Sequence, residues 1–158
     1  MGLKIIFLLC IVVGLFSLTA TNRRSVRIVL SFLILANVLF LISNTIWPLI
    51  GKLIFFIPLL QIMIYSFQAT GILNLHRWLI FLSAFIILLK TLFMLQHWPG
   101  ANLMLMLTII QIAFYSFLVI NPKKLSKHEF GFMTVITGNS VYSFIQWLSI
   151  YLLVHKGN

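Results

Sequence analysis

Long apolar runs, separated by short polar segments, make up most of the chain. A helix needs about 20 apolar residues to cross a hydrocarbon core that is ~30 Å thick, and several runs reach that length. We therefore predict an all-α, polytopic membrane protein with about six transmembrane helices. Their predicted ranges are 5–20, 28–46, 49–69, 78–96, 101–120 and 131–154. Because only short connections remain, residues 1–158 are expected to form a single integral membrane domain.

The composition agrees with a lipid environment. Hydrophobic residues make up 62% and charged residues 8% of the 158 positions, and the mean hydropathy is +1.15. Soluble domains are about half apolar and a quarter charged. This chain therefore has too few polar side chains to cover a water-exposed surface.

The basic residues are concentrated on alternate connections between the apolar runs. The net charge is +10, but no basic run with interleaved aromatic residues predicts binding to nucleic acid. Seven cations follow the first, third and fifth runs: Arg23, Arg24, Arg27, Arg77, Lys123, Lys124 and Lys127. The remaining loops and tails are assigned Lys4, Lys52, Lys90 and Lys156. Because short cytoplasmic loops collect Lys and Arg, we predict that both termini lie outside, together with Lys52 and His97.

The first apolar run allows two interpretations. Residues 1–20 combine Lys4, an apolar stretch and the small residue Ala20, a pattern that resembles a secretory signal. Cleavage there would leave the arginines outside, against the charge rule, so an uncleaved first helix is favoured. Cys10 is the only cysteine and can form no internal disulfide. A small, buried, apolar side chain is the expected role for it.

Residues 46–67 and 97–117 resemble each other. The matching positions are Trp47-Pro48 with Trp98-Pro99, Gln61-Ile62 with Gln111-Ile112, Tyr65-Ser66-Phe67 with Tyr115-Ser116-Phe117, and Arg27 with Arg77. We interpret the match as a duplicated two-helix hairpin. The repeat units are about 27–67 and 77–117, with flanking helices at about 5–20 and 131–154. Two spans per unit place both copies the same way up, so a pseudo-twofold axis along the membrane normal is expected.

The Trp-Pro pairs are expected at the outer turns of the two hairpins. Tryptophan favours the membrane interface, and proline suits the first turn of a helix. Proline also disfavours helical geometry in the residue before it, so Trp47 is predicted to end the incoming helix. Turn geometry does not account for His97 and Asn102, which occur only in the second copy. The predicted outer-loop motif is Trp47, Pro48, His97, Trp98, Pro99, Gly100 and Asn102.

The stretch LLKTLFMLQHWPGANLMLML at 88–107 resembles the GldL-type membrane proteins of gliding motility and type IX secretion in Bacteroidota. The resemblance rests on His97–Ala101, on Lys90 before them and on the apolar helices on either side, and it covers one hairpin. It implies a hairpin in the bacterial cytoplasmic (inner) membrane, with its turn outside. Motor members of the family carry a membrane glutamate in the second helix and a long cytoplasmic tail. Here Gln111 occupies the corresponding region and no such tail follows, so the resemblance implies fold and lineage rather than motor activity.

Candidate catalytic and metal-binding residues are scarce. The chain has no aspartate and one glutamate, Glu129, whereas hydrolytic mechanisms need carboxylates, activated nucleophiles or metal ligands close together. A haem between His97 and His155, or a Cu(I) site that combines His97 with nearby methionines, is the alternative. Methionines in apolar helices more often serve packing. We therefore predict no enzymatic activity, no metal and no cofactor.

Three polar side chains are predicted within the membrane. Gln61 and Gln111 occupy matching positions in the two repeats, where an unpaired amide costs a few kcal/mol. They could line a polar pathway between the repeats, but hydrogen bonds between helices are the favoured interpretation. Asn37 is expected to make a polar contact, and Pro58 to kink its helix by removing a backbone hydrogen bond.

The combined pattern predicts a small, non-enzymatic, multi-pass protein of the inner membrane. Its expected partners are the lipid bilayer and other membrane subunits, or further copies of itself, in an envelope or secretion assembly. The alternative is a small-solute transporter or channel, which the duplicated hairpin and the paired glutamines would favour. Flux measurements on glutamine variants and the presence of a stable partner discriminate between the two.

Overall fold

Six α-helices account for the regular secondary structure in the part of the chain that the structure describes. The computed structural model describes residues 4–42, 46–68, 74–96, 101–121 and 125–155. The helices are α1 (Lys4–Thr19), α2 (Arg24–Leu41), α3 (Ile46–Gln68), α4 (Asn74–Leu95), α5 (Ala101–Ile120) and α6 (Lys127–His155). No strand occurs among these residues, so the predicted all-α class is confirmed.

Successive helices alternate in direction. The Lys4 ammonium at the start of α1 donates to the Leu41 carbonyl at the end of α2 (3.1 Å). Tyr65, near the end of α3, donates to Glu129 in the first turn of α6 (3.1 Å). Each helix packs against the next one, and α6 also packs against α1, α2 and α4. The bundle therefore has a basic end, where α1, α3 and α5 end and α2, α4 and α6 begin, and an opposite end.

The first half of α6 lies in the interior of the bundle. The side chains of Met133, Val135 and Ile136 have no exposed surface. They share the core with residues of α2, α3 and α4 that include Leu30, Leu33, Leu59, Ile80 and Ile87. Because other helices surround this part of α6, its polar residues are buried against protein.

Two glycines of α6 allow α1 to approach closely. A Cβ atom built on Gly131 would overlap the Ser17 side chain, and one on Gly138 would overlap the Cys10 sulfur. The two glycines are seven residues apart, as are Cys10 and Ser17, so both contacts lie along one seam two helical turns in length. Small residues at such a seam let helix backbones pack tightly in membrane proteins. Cys10 is buried, as predicted.

Large apolar side chains cover much of the surface. On α1, Leu9, Val12 and Phe16 are 60%, 62% and 71% exposed. Three described helical segments are long and apolar enough to cross a membrane: Arg24–Leu41, Leu49–Gln68 and Leu75–Leu95. Lys4–Thr19 is a shorter apolar helix, and the segment Leu105–Ile120 of α5 is also apolar. The fold is thus compatible with a membrane protein, and α6 is not among the apolar spans because its sequence carries many polar residues.

The helix boundaries differ from the predicted ranges at α2 and α3. The predicted second span, 28–46, is shifted, because α2 includes Arg24 and ends at Leu41. Ile42 is extended, and its backbone N–H donates to the Leu39 carbonyl (3.3 Å). The prediction that Trp47 ends the incoming helix is wrong, since Trp47 already lies in the first turn of α3. A proline at the third position of α3 is tolerated because the first four N–H groups of a helix have no partner within it.

Candidate functional site

A polar cavity lies inside the bundle near the opposite end. Its volume is about 330 Å³, and α1, α2, α3, α4 and α6 all contribute to its lining. Its polar lining consists of Lys52, Lys90, Thr91, Asn139, Ser143 and Gln146, while phenylalanines form part of an apolar wall. A charged side chain within a membrane bundle is expensive and usually marks a functional site. This cavity is therefore the strongest candidate site in the described part of the chain.

Lys90 is the central residue of the cavity. Its side chain is only 2% exposed, and its ammonium donates to Ser143 Oγ at 3.1 Å and to Asn139 Oδ1 at 3.4 Å. Asn139 and Ser143 are one helical turn apart on α6, so they present both acceptors on the same face. The two polar groups partly replace the water that the ammonium loses on burial.

Lys52 brings a second positive charge to the same cavity. It is six residues after the start of α3, and Lys90 is five residues before the end of α4. At 1.5 Å per residue, both backbones lie about 8–9 Å inside the opposite end of the bundle. The assignment of Lys52 and Lys90 to loops is therefore wrong, because both belong to helices.

Sequence reasoning missed this site, although a signal was available. Lys90 lies within the predicted span 78–96, and an ionisable residue there is a functional candidate by itself. Its partners Asn139 and Ser143 are 49 and 53 residues away in sequence. No local pattern could have identified them.

Glu129 caps the first turn of α6 at the basic end. Ser126 donates to Glu129 Oε2 from its backbone N (2.8 Å) and from Oγ (2.6 Å), and the Glu129 backbone N–H donates back to Ser126 Oγ (3.4 Å). This reciprocal arrangement is a capping box. Tyr65 adds a hydrogen bond to Oε1, and the Glu129 side chain is only 1% exposed. The carboxylate is therefore fully engaged in holding the helix start.

His128 lies beside this cap. Its Nε2 is 3.0 Å from Tyr65 Oη and 3.1 Å from Ser126 Oγ. Burial lowers the pKa of His128, the Glu129 carboxylate opposes that change, and Arg23 adds to it. The hydroxyls of Tyr65 and Ser126 donate to Glu129, so the His128 Nε2–H is the donor to both hydroxyl oxygens.

The two repeat glutamines have different environments. Gln111 is fully buried, and its Nε2 donates to Thr137 Oγ1 on α6 at 2.7 Å. Gln61 lines a separate cavity of about 220 Å³ together with Tyr65. Its Oε1 atom has no hydrogen-bond partner among the described residues. Gln111 thus makes the favoured inter-helix bond, and no hydrogen bond in the described part of the chain joins the two amides into one pathway.

The repeat tyrosines share one feature, since both contact α6. Tyr65 bonds to Glu129, and the Tyr115 hydroxyl is 2.8 Å from Thr134 Oγ1. Both hydroxyls thus reach α6, and the duplication stays a prediction.

Asn37 contacts its own helix rather than a neighbour. It is fully buried on α2, and its Nδ2 donates to the Leu33 carbonyl at 2.7 Å. Its Oδ1 has no hydrogen-bond partner among the described residues. Pro58 is buried inside α3, and the kink expected there stays a prediction.

The basic residues that were used to predict the membrane topology lie together at the basic end, as far as the structure describes them. Arg23 precedes α2, and Arg24 and Arg27 lie in its first turn, where Arg27 Nε donates to the Thr21 carbonyl (3.0 Å). Arg77 is in the first turn of α4, and Lys127 begins α6. Lys123 and Lys124 lie outside the described residues.

Much of the predicted outer-loop motif lies outside the described residues. This applies to His97, Trp98, Pro99 and Gly100. Asn102 is in the first turn of α5, and Trp47 and Pro48 are in the first turn of α3. The second helix of each predicted hairpin therefore begins at the opposite end. Among the described residues, no three His, Cys, Asp or Glu side chains are grouped to hold a metal ion. The proposed haem and copper pairs both depend on His97.

A comparison of the chain with protein-family models, curated proteins and solved structures finds no match.

Proposed function

We propose that the chain spans the bacterial cytoplasmic membrane six times, with both termini outside and the basic end in the cytoplasm. The grouping of five described cations at one end supports this orientation by the positive-inside rule. The burial of three polar residues in the middle of α6 supports a sixth span. In that arrangement, Thr137, Asn139 and Ser140 face protein rather than lipid.

Within that membrane, the proposed role is a non-enzymatic subunit or accessory of a larger envelope or secretion assembly. The observation that carries this proposal is the position of Glu129, the only acidic side chain of the chain. Acid–base catalysis and proton-driven motion both need a group that changes its protonation state as it works. Glu129 accepts hydrogen bonds from Ser126 and Tyr65 in the cap, so a proton cycle there would weaken the start of α6.

The proposed contact with the assembly lies at the outer turn of the second hairpin. The resemblance of residues 88–107 to GldL-type proteins supports an envelope or secretion context. His97 and Asn102 belong to this turn, and the geometry of the turn does not account for their presence. They are therefore the expected contacts to a partner subunit.

Affinity purification from native membranes in a mild detergent tests this proposal. We expect one membrane protein to co-purify in a fixed ratio, and His97→Ala with Asn102→Ala to remove it. Asn121→Ala is the matched control, because Asn121 is an exposed asparagine at the basic end. A chain that purifies alone, or a partner that is lost equally in the control, would contradict the proposal.

The Lys90 cavity favours one alternative, a small-solute transporter or channel. Internal polar cavities between helices are where such proteins bind their substrates. Solute flux in proteoliposomes that falls on Gln61→Leu or Lys90→Met, with no stable partner in native membranes, would support the alternative over the subunit role.

A further inference from the structure

The Lys90 ammonium is a buried cation without an acidic neighbour in its own chain. Its two hydrogen-bond partners, Asn139 and Ser143, are neutral. An ammonium has three donors, so Lys90 retains the capacity to bind a further acceptor in the cavity. A buried charge is normally paired, because the loss of hydration costs several kcal/mol.

No acidic side chain of the protein can supply that pairing. Glu129 is the only one, and it is bonded to Ser126 and Tyr65 at the basic end. Asn139 is ten residues further along α6, which is about 15 Å along the helix axis. An ion pair requires contact within about 4 Å. A counter-charge for the protonated Lys90 side chain would therefore have to come from outside the side chains of this protein.

The rest of the cavity suits an anion. Lys52 lines the same space, so an empty cavity would hold two cations that repel each other. Gln146 adds a neutral amide donor, whereas the hydroxyls of Thr91 and Ser143 donate to the Ile87 and Asn139 carbonyls. Inorganic phosphate carries about −1.5 to −2 charges at pH 7, as phosphate monoesters do, the phosphodiester of a lipid headgroup carries one, and lysine is a common phosphate ligand. A single water needs only about 10–15 Å³, so about 330 Å³ admits a phosphate together with water.

We propose that the cavity between Lys52 and Lys90 binds a phosphate group, either free inorganic phosphate or the headgroup phosphate of a lipid. Entry is from the opposite end, where Gln146 is exposed and Lys52 is partly exposed. The proposal does not depend on the subunit role. A chain that lacks any partner would still bind the anion.

Thermal unfolding of the purified full chain in neutral detergent tests the proposal. One arm adds inorganic phosphate at constant ionic strength, and the other adds to the same micelles either phosphatidylglycerol or diacylglycerol, which has no phosphate. Ligand at about ten times its Kd should raise Tm by roughly 3–6 °C. The arm that gives the rise identifies the source. Lys90→Met and Lys52→Gln should each lose the rise in Tm. Lys4→Gln should keep it, because Lys4 is at the same end of the bundle but outside the cavity.

Asn139→Asp provides a second test that survives if Lys90→Met fails to fold. The new carboxylate would take the place of an oxygen that is now 3.4 Å from the Lys90 ammonium. We expect this variant to unfold at a higher temperature than the natural protein without phosphate, and to respond less to phosphate. Asn37→Asp is the matched control, since Asn37 is equally buried and its Oδ1 has no hydrogen-bond partner among the described residues. It should unfold at a lower temperature.

Three results would overturn the proposal. The first is a natural protein whose Tm responds to neither phosphate nor phosphatidylglycerol. The second is a response that persists in both Lys90→Met and Lys52→Gln. The third is a loss of stability in Asn139→Asp as large as that in Asn37→Asp. A Lys90 that pairs instead with an acidic residue of another subunit would give the first result.

Discussion

Gly138→Ala should destabilise the bundle because the added methyl group would overlap one atom, the Cys10 sulfur. A Cβ at Gly138 would overlap the Cys10 sulfur but would be 3.6 Å from the Cys10 Cβ, which is an ordinary contact. Overpacking costs about 1–3 kcal/mol, and the higher helix propensity of alanine returns about 1 kcal/mol. The expected net loss in free energy of unfolding is therefore about 1 kcal/mol.

The compensating change is Cys10→Ala. On its own it leaves a methyl-sized void at a buried site, which costs about 1 kcal/mol. In the double variant, the methyl added at position 138 occupies the space that the sulfur vacates. The unfolding free energy should then return to the natural value or exceed it, which corresponds to a coupling of about 2 kcal/mol.

Reversible unfolding in mixed micelles, measured for the natural chain, both single variants and the double variant, gives that coupling directly. Additivity within about 0.5 kcal/mol would refute the close crossing of α1 and α6. Gly131 provides an internal contrast, because a Cβ there would overlap both the Oγ and the Cβ of Ser17. Ser17→Gly should therefore rescue Gly131→Ala, whereas Ser17→Ala should not.

Three further predictions concern the polar contacts. Gln111→Leu should lower the free energy of unfolding by about 1 kcal/mol, because the hydrogen bond to Thr137 is lost. Gln61→Leu should change the same free energy by less than about 0.5 kcal/mol. Equal effects of the two variants in one unfolding assay would contradict the environments assigned to the two glutamines. Glu129→Ala should lower the free energy of unfolding by about 1–2 kcal/mol through loss of the cap. Glu129→Gln should lose less than half of that, because glutamine also completes a capping box. Equal losses for the two variants in thermal melts followed by circular dichroism would show that the carboxylate has another structural role. Unfolded histidine takes up a proton near pH 6.5, but the half-buried His128 has a lowered pKa, so stability should fall as the pH drops below about 6.5. His128→Gln should make the Tm less sensitive between about pH 7 and 5, and an unchanged slope would show that other groups dominate.

The presence of the helices followed from the sequence because each apolar run is long enough to form one. Their ends followed less well. Arg24 and Arg27 were assigned to a connection because they are charged, yet they lie in the first turn of α2. An arginine at a helix start can extend into water, so charge marks the membrane boundary rather than the end of the helix.

The interior of the bundle could not be predicted from local pattern. The range of α6 was close to its predicted 131–154, but its place among α1, α2, α4 and α5 depends on contacts between distant segments. Gln111 was identified as an intramembrane polar group, and its partner Thr137 was not. Lys90 was assigned to a loop because charge was used only to orient the chain. The cost of burying that charge points instead to the cavity.

The accessibility of two introduced cysteines tests the membrane topology most directly. In a Cys10→Ala background, Asn102→Cys lies at the start of α5 and Asn121→Cys just after its end. A membrane-impermeant thiol reagent added to intact spheroplasts should label Asn102→Cys at once, and Asn121→Cys only after lysis. The reverse pattern would place the basic end outside, and labelling of both positions from one side would show that α5 does not cross the membrane.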